Sequence, residues 1–122
     1  MSLRFVLDEH LCGPAWSAVR RHNAMAGSPL DVVRVGDPNC VPLGTDDSTI
    51  LLWSEREERI LVTRDQSTMK SHLEQHLAAG QTSPGILMIR PYGQLSAVIE
   101  FLELADQLSD PREWQDVVTY IG

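Results

Sequence analysis

Short apolar runs separated by segments of helical length constrain this chain more than any other feature. Leu3–Leu7 is apolar except for Arg4 and stops abruptly at Asp8-Glu9. DVVRV (31–35), RILVT (59–63) and GILMIR (85–90) repeat the pattern, and DVVTYI (116–121) fits a further strand at an edge. Near-continuous apolar runs of this length suit strands buried on both faces, as in parallel sheets.

The intervening segments carry helix signals. Pro14 opens a stretch to about Ala24, with Trp16, Val19 and Arg20 at helical spacing and Gly27 beyond it. Asp46-Asp47-Ser48-Thr49 reads as a helix start, followed by Ile50, Leu51, Leu52, Trp53 and the charged run Glu55–Arg59. Gln66–Ala79 reads as a helix with Gly80 after it. Gln94–Leu108 is amphipathic, with Leu95, Val98, Ile99, Leu102 and Ala105 on one face. Between Gly36 and Thr45 lies a Gly- and Pro-rich loop, long enough to suggest a functional reason. The whole pattern predicts an α/β domain over residues 1–122, a three-layer α/β/α fold with a mostly parallel sheet of four to five strands.

In such sheets, sites form outside the carboxyl ends of the strands where the strand order reverses. Asp8, Asp47 and Asp65 fall at or near that edge, with Glu9 and Asp46 beside them. Converging carboxylates raise one another's proton affinity unless a cation joins them. A hard divalent ion such as Mg2+ or Mn2+ suits that chemistry. Structural roles compete for the same residues. Asp46 or Asp47 can serve as an N-cap, and Asp65 can cap the helix after it with Thr63 and Ser67 as local partners. Asp8 is harder to explain away, because a carboxylate at the tip of a buried strand is costly without a partner. Glu9 reads as a supporting or exposed residue.

Three ordered segments carry a resemblance. Phe5-Val6-Leu7-Asp8-Glu9-His10-Leu11, Asp47-Ser48-Thr49-Ile50-Leu51 and Ile60-Leu61-Val62-Thr63-Arg64-Asp65, followed by Pro84–Arg90, resemble the short PIN-like family in order and spacing. The resemblance implies a PIN-like fold and a Mg2+ or Mn2+ site at Asp8, Asp47 and Asp65. It also implies ribonuclease activity on an RNA substrate, often as the toxin half of a toxin–antitoxin pair with an antitoxin protein as partner. The family pattern continues TxDxDF, whereas this chain has Thr63-Arg64-Asp65-Gln66-Ser67-Thr68. Ser67 therefore replaces a second acid and Thr68 an aromatic. Ser67 could still hold a metal-bound water, but it brings no charge. Arg64 and Lys70 are candidates for phosphate contact at the rim, although charged residues at such places are generally just solvated.

Composition limits the partners. A net charge of −7 opposes tight, autonomous binding to nucleic acid by phosphate contact alone. No apolar run approaches bilayer length and the first residues do not read as a signal peptide, so no membrane role and a cytoplasmic location are expected. Cys12 and Cys40 lack a CxxC spacing and read as reduced thiols.

His72 and His76 stand four apart without an HExxH pattern, which favours a surface pair over zinc ligands. His10 has no identified partner for acid–base work. Neither GxSxG nor GxGxxG nor a P-loop occurs. A receiver-type phosphoacceptor needs an aspartate ending its third strand and a lysine after its fifth; Asp65 comes two residues late and no lysine follows Lys70. Trp53 and Trp114 read as core or interface anchors. The exposed apolar content of the last helix and strand, with the resemblance, suggests a homodimer. The principal alternative to an enzyme is a catalytically silent PIN-like module that binds a partner protein.

Overall fold

A computed structural model describes residues 3–11, 13–25, 27–65 and 68–122. Ser67, Gln66 and Cys12, which bear expectations stated above, lie outside the described residues. The strands are β1 (Arg4–Leu7), β2 (Asp31–Arg34), β3 (Ile60–Thr63), β4 (Ile86–Ile89) and β5 (Val118–Ile121). They form one sheet in the order β2-β1-β3-β4-β5, and every pairing is parallel. The helices are α1 (Pro14–Met25), α2 (Asp47–Glu57), α3 (Met69–Ala78) and α4 (Leu95–Leu108).

Period-two alternation sorts the strand side chains into two cores. Phe5, Leu7, Ile60, Val62, Leu87 and Ile89 pack beneath α1 and α4, joined by Val19, Val98 and Leu102. Val6, Leu61, Ile86 and Met88 pack beneath α2 and α3, joined by Ile50, Trp53, Met69 and Leu73. The result is the expected three-layer α/β/α arrangement, with the sheet parallel throughout. Trp53 is buried, and Trp114 meets Phe101 edge to face at 5.8 Å, so both tryptophans anchor packing.

Strand order and layer together fix the relative hand of the crossovers. The path from β1 to β2 runs one way along the sheet, and the paths to β3, β4 and β5 run the other way. Helices α2 and α3 lie on the face opposite α1, so the first three crossovers share a hand. The last crossover runs in the same direction as those through α2 and α3, yet α4 lies beside α1. It therefore has the opposite hand, against the strong general preference for right-handed units. Its benefit is coverage: α4 shields Leu87, Ile89 and Ile121 on a face where α1 is the other helix. The long return from Ser109 to Val117, with a capped 3-10 turn at Pro111–Glu113, gives the chain room to make it.

Element ends differ from expectation for local reasons. Asp116 takes φ 62°, so β5 begins only at Val118. Helix α2 stops at Glu58, a left-handed residue whose N–H reaches the Glu55 and Ser54 carbonyls, where sequence signals would favour glycine. Gly85 precedes β4 at φ 121°, and a Cβ there would collide with the Trp114 carbonyl. Leu104, Leu108 and Tyr120 leave exposed apolar surface on α4 and β5. Among the described residues, no helix is long and apolar enough to cross a membrane.

Candidate functional site at the carboxyl ends of the strands

The order 2-1-3-4-5 reverses direction between β1 and β3, and crevices for ligands form outside such switch points. Asp8 follows β1 there and is only 4% exposed. Its backbone N–H donates to the Val62 carbonyl at 3.0 Å, which extends the β1–β3 ladder by one residue.

Thr63, fully buried at the end of β3, donates its hydroxyl to Asp8 Oδ2 at 2.8 Å. The same hydroxyl oxygen accepts the Asp65 backbone N–H at 3.1 Å. The Thr63 hydroxyl thus relays between the two aspartates, accepting from the Asp65 N–H and donating to Asp8. The other Asp8 oxygen accepts the Glu9 N–H at 2.8 Å. Glu9 starts a 3-10 turn (Glu9–Leu11), and its Oε1 accepts the Gly44 N–H at 3.3 Å, which ties the 36–45 loop to the site.

Thr68 makes the second link. Its N–H donates to Asp65 Oδ1 at 3.2 Å and its hydroxyl to Asp65 Oδ2 at 2.6 Å. Asp47 Oδ2 lies 3.1 Å from the same hydroxyl. Asp8, Asp65 and Asp47, from separate parts of the chain, are therefore joined by two threonine hydroxyls. Thr68 can donate its proton to one carboxylate at a time; the other faces its lone pairs and gains only if a proton or cation lies between. The N-cap position of α3 is Thr68 rather than Asp65; its side chain makes no cap bond, and Asp65 accepts its N–H from three residues upstream.

The adjacent acids on α2 divide their work. Asp46 is the N-cap, with its side chain accepting the Thr49 N–H at 2.8 Å, while Asp47 turns toward Thr68. Hydrogen bonding from Thr49 holds the Asp46 carboxyl below the ordinary aspartate range, with slight opposition from desolvation. Sequence alone left this assignment open.

His72 enters the site from α3. Its Nε2 is 3.8 Å from Asp47 Oδ2, and its Nδ1 is 3.3 Å from the Ser48 hydroxyl. The expected surface pair of histidines is not present. His76 is buried, with Nε2 at 2.8 Å from the Thr82 carbonyl and 3.0 Å from Glu55 Oε1. A helical spacing of four puts two residues on one side of a helix, but α2 packs along α3 and buries only the later one. Arg64, next to Asp65 in the chain, and Lys70, in the first turn of α3, are both exposed. Nothing in the sequence pattern marked Thr68 or His72 as site residues, since their roles depend on how α2 meets α3.

Among the described residues, no group of three His, Cys, Asp or Glu side chains stands close enough to hold one metal ion directly. The donors that do meet, Asp47 and Asp65, are hard oxygens of the type that bind Mg2+ or Mn2+ through few protein ligands and several waters. The receiver reading gains nothing beyond the strand order: Ile89 is followed by Arg90 and Pro91, and Asp65 is absorbed by the threonine links. No protein-family model, curated protein or solved structure matches this chain.

Proposed function

We propose that this chain is a Mg2+- or Mn2+-dependent ribonuclease with a PIN-like site formed by Asp8, Asp47 and Asp65. The observation that carries the reading is the meeting of Asp47 and Asp65 on one hydroxyl, with Asp8 one hydrogen-bonded step behind. Asp47 and Asp65 hold the ion, and Asp8 contributes directly or through water. Bound there, a divalent ion lowers the pKa of a water and offsets charge on a phosphodiester. Thr63 donates to one oxygen of Asp8 and aims it, and the Glu9 N–H holds the other. Arg64 and Lys70, exposed at the rim, offer charge to RNA phosphates that the acidic body of the protein repels. The resemblance extends the proposal to a toxin restrained by an antitoxin protein.

A second reading is a silent PIN-like module that binds a partner protein. It is favoured by the lack of a three-ligand group among the described residues, by Ser67 where the resembled pattern has an acid, and by the net charge of −7.

Thermal unfolding with EDTA or millimolar Mn2+ separates the two, run on wild type, Asp8→Asn and Asp47→Asn. Saturation at about 100 times Kd adds roughly 2.7 kcal/mol, a rise of several degrees for a domain of this size. A rise in wild type that both variants lose supports the enzyme, and RNA cleavage should then follow the same dependence. No rise in wild type, with variants as stable as or more stable than it, rejects the nuclease in favour of the binding module.

A further inference from the structure

We propose that two copies of this chain join through β5, paired antiparallel about a two-fold axis at Thr119, so that their sheets become continuous. The inference stands apart from the metal reading. An outer strand leaves alternate backbone groups without a ladder partner, and folded proteins close such rows with side chains or charge. The two outer strands differ in this respect. On β2 the outward row runs through Leu30, Val32 and Arg34. Asn23 fills its first position, giving an Nδ2 proton to the Leu30 carbonyl at 3.0 Å and accepting the Leu30 N–H at 2.9 Å. Asp37 fills the last, accepting the Arg34 N–H at 3.0 Å. On β5 the Val117 and Ile121 carbonyls accept from Ile86 and Arg90, so alternation turns the N–H and carbonyl groups of Val118 and Tyr120 outward. Among the described residues no side chain takes them, and Val118–Ile121 holds neither charge nor proline.

Helix α4 extends the same open surface. Its Glu103 and Asp106 turn toward α1 and the start of β1, where they meet His22 at 3.4 Å and the Leu3 N–H at 2.7 Å. Phe101, Leu104 and Leu108 form a row on the other flank, and Phe101 meets Trp114, shortly before β5. Leu104 is 47% exposed, Leu108 79% and Tyr120 41%. A two-fold axis perpendicular to the sheet keeps α4 on one face, so this row meets its own copy while β5 meets β5.

Charge, register and closure select a second copy as the occupant. The strand and the α4 row are uncharged on a chain of net charge −7, so two copies meet here without opposing like charges. With the axis at Thr119, Val118 and the partner's Tyr120 exchange both backbone hydrogen bonds, as do Tyr120 and the partner's Val118. Thr119 faces the partner's Thr119, and both kinds of side-chain pair stabilise sheets. Moving the axis to Val118 sets Tyr120 against Asp116, which has φ 62° and lies outside the strand. Moving it to Tyr120 sets Val118 against Gly122, also outside. Because β2 is capped at both ends, pairing closes at two copies rather than propagating.

The test is sedimentation equilibrium of the full chain from micromolar to near-millimolar concentration, on wild type, Tyr120→Pro and Leu108→Glu. Wild type should rise to the mass of a dimer and no further. Tyr120→Pro removes an outward N–H and leaves the bonds to β4, so it should fold and stay monomeric. Leu108→Glu, at an exposed helix position, should weaken association by about tenfold or more. Mild oxidation of Thr119→Cys and Tyr120→Cys reads the register against the wild-type background. Directly opposed residues that are not hydrogen-bonded stand about 4.5 Å apart at Cα, within disulfide reach, so Thr119→Cys should cross-link to its copy. Tyr120→Cys should not, since its copy lies two residues along the strand. A wild type that stays monomeric throughout overturns the proposal, as does a dimer undiminished in folded Tyr120→Pro or in Leu108→Glu. Cross-linking of Tyr120→Cys as readily as Thr119→Cys overturns it too. Should Tyr120→Pro fail to fold, Leu108→Glu and the cysteine pair decide.

Discussion

The two edges of the sheet handle buried charge in opposite ways. At the amino edge, Arg59 lies just before β3 and is only 8% exposed. Its Nη1 donates to the Phe5 carbonyl in β1 at 3.0 Å and pairs with Asp31 Oδ1 at the start of β2 at 2.8 Å. One guanidinium thus pins three neighbouring strands at their origins. His76 and Glu55 make a second pairing on the same side. At the carboxyl edge, Asp8 and Asp65 accept from threonine hydroxyls and backbone N–H groups, and Asp47 lies between the Thr68 hydroxyl and His72. Neutral donors aim a carboxylate without cancelling its charge. The amino edge spends its polar groups on holding strands together, whereas the carboxyl edge keeps negative charge concentrated and oriented. The groups that tie strands together and the clustered carboxylates are separated across a sheet only four residues deep.

The contrast is broken most severely at Arg59. Arg59→Met removes a hydrogen bond to a buried carbonyl and an ion pair whose other member is half exposed. It should cost about 3 kcal/mol, since buried groups left without partners are penalised beyond the bond itself. In thermal unfolding that is a fall on the order of 10 °C, with no change in any response to Mn2+ beyond the lower starting temperature. A loss smaller than that of the next variant would invert the assignment of the two edges.

That variant is Thr63→Val, which keeps the shape and deletes the relay. It removes a donor from Asp8 and an acceptor from the Asp65 N–H in a fully buried position, and should cost about 2 kcal/mol. Unlike Arg59→Met, it should also weaken the Mn2+ response, because Asp8 loses its aim. Chemical denaturation in EDTA gives the first effect, and Mn2+ titration the second. A Thr63→Val protein that unfolds like wild type would show that the relay carries no weight.

The sequence revealed the parts of this comparison that depend on period and order. Apolar runs alternating with helical segments identified the strands, because a side-chain period of two and one of 3.6 leave different traces. They also located the acids, because strand ends are where an apolar run meets its first charge, as at Leu7-Asp8. Roles that depend on contact between elements were hidden. His72 and His76 look equivalent along α3, yet one faces Asp47 and the other is buried against Glu55, since the difference lies in the packing of α2. Thr68 reads as a lost aromatic until α2 brings Asp47 beside it. The reversed hand of the last crossover was likewise invisible, because general preference argues for the common one. Asp46 and Asp47 were indistinguishable for a simpler reason: either residue type at either position can cap a helix.

That last ambiguity yields the smallest effect and the finest test of the comparison. Asp46 stabilises α2, and Asp47 serves the site, although they are neighbours. Asp46→Ala should lower the unfolding temperature by on the order of a few degrees, through loss of the Thr49 cap, and leave Mn2+ binding intact. Asp47→Ala should do the reverse, with little loss in EDTA and a strongly weakened Mn2+ response. The cap also has a signature in pH. Thr49 depresses the Asp46 pKa in the folded protein, so the ionised form is the one favoured by folding. Its contribution is complete above the ordinary aspartate range and is lost as pH falls through the depressed folded value. The gap in unfolding temperature between wild type and Asp46→Ala should therefore be constant near neutrality and shrink below about pH 4. A gap that persists undiminished in acid would mean that the carboxylate is not the capping group. The division of labour between the two aspartates would then have to be redrawn.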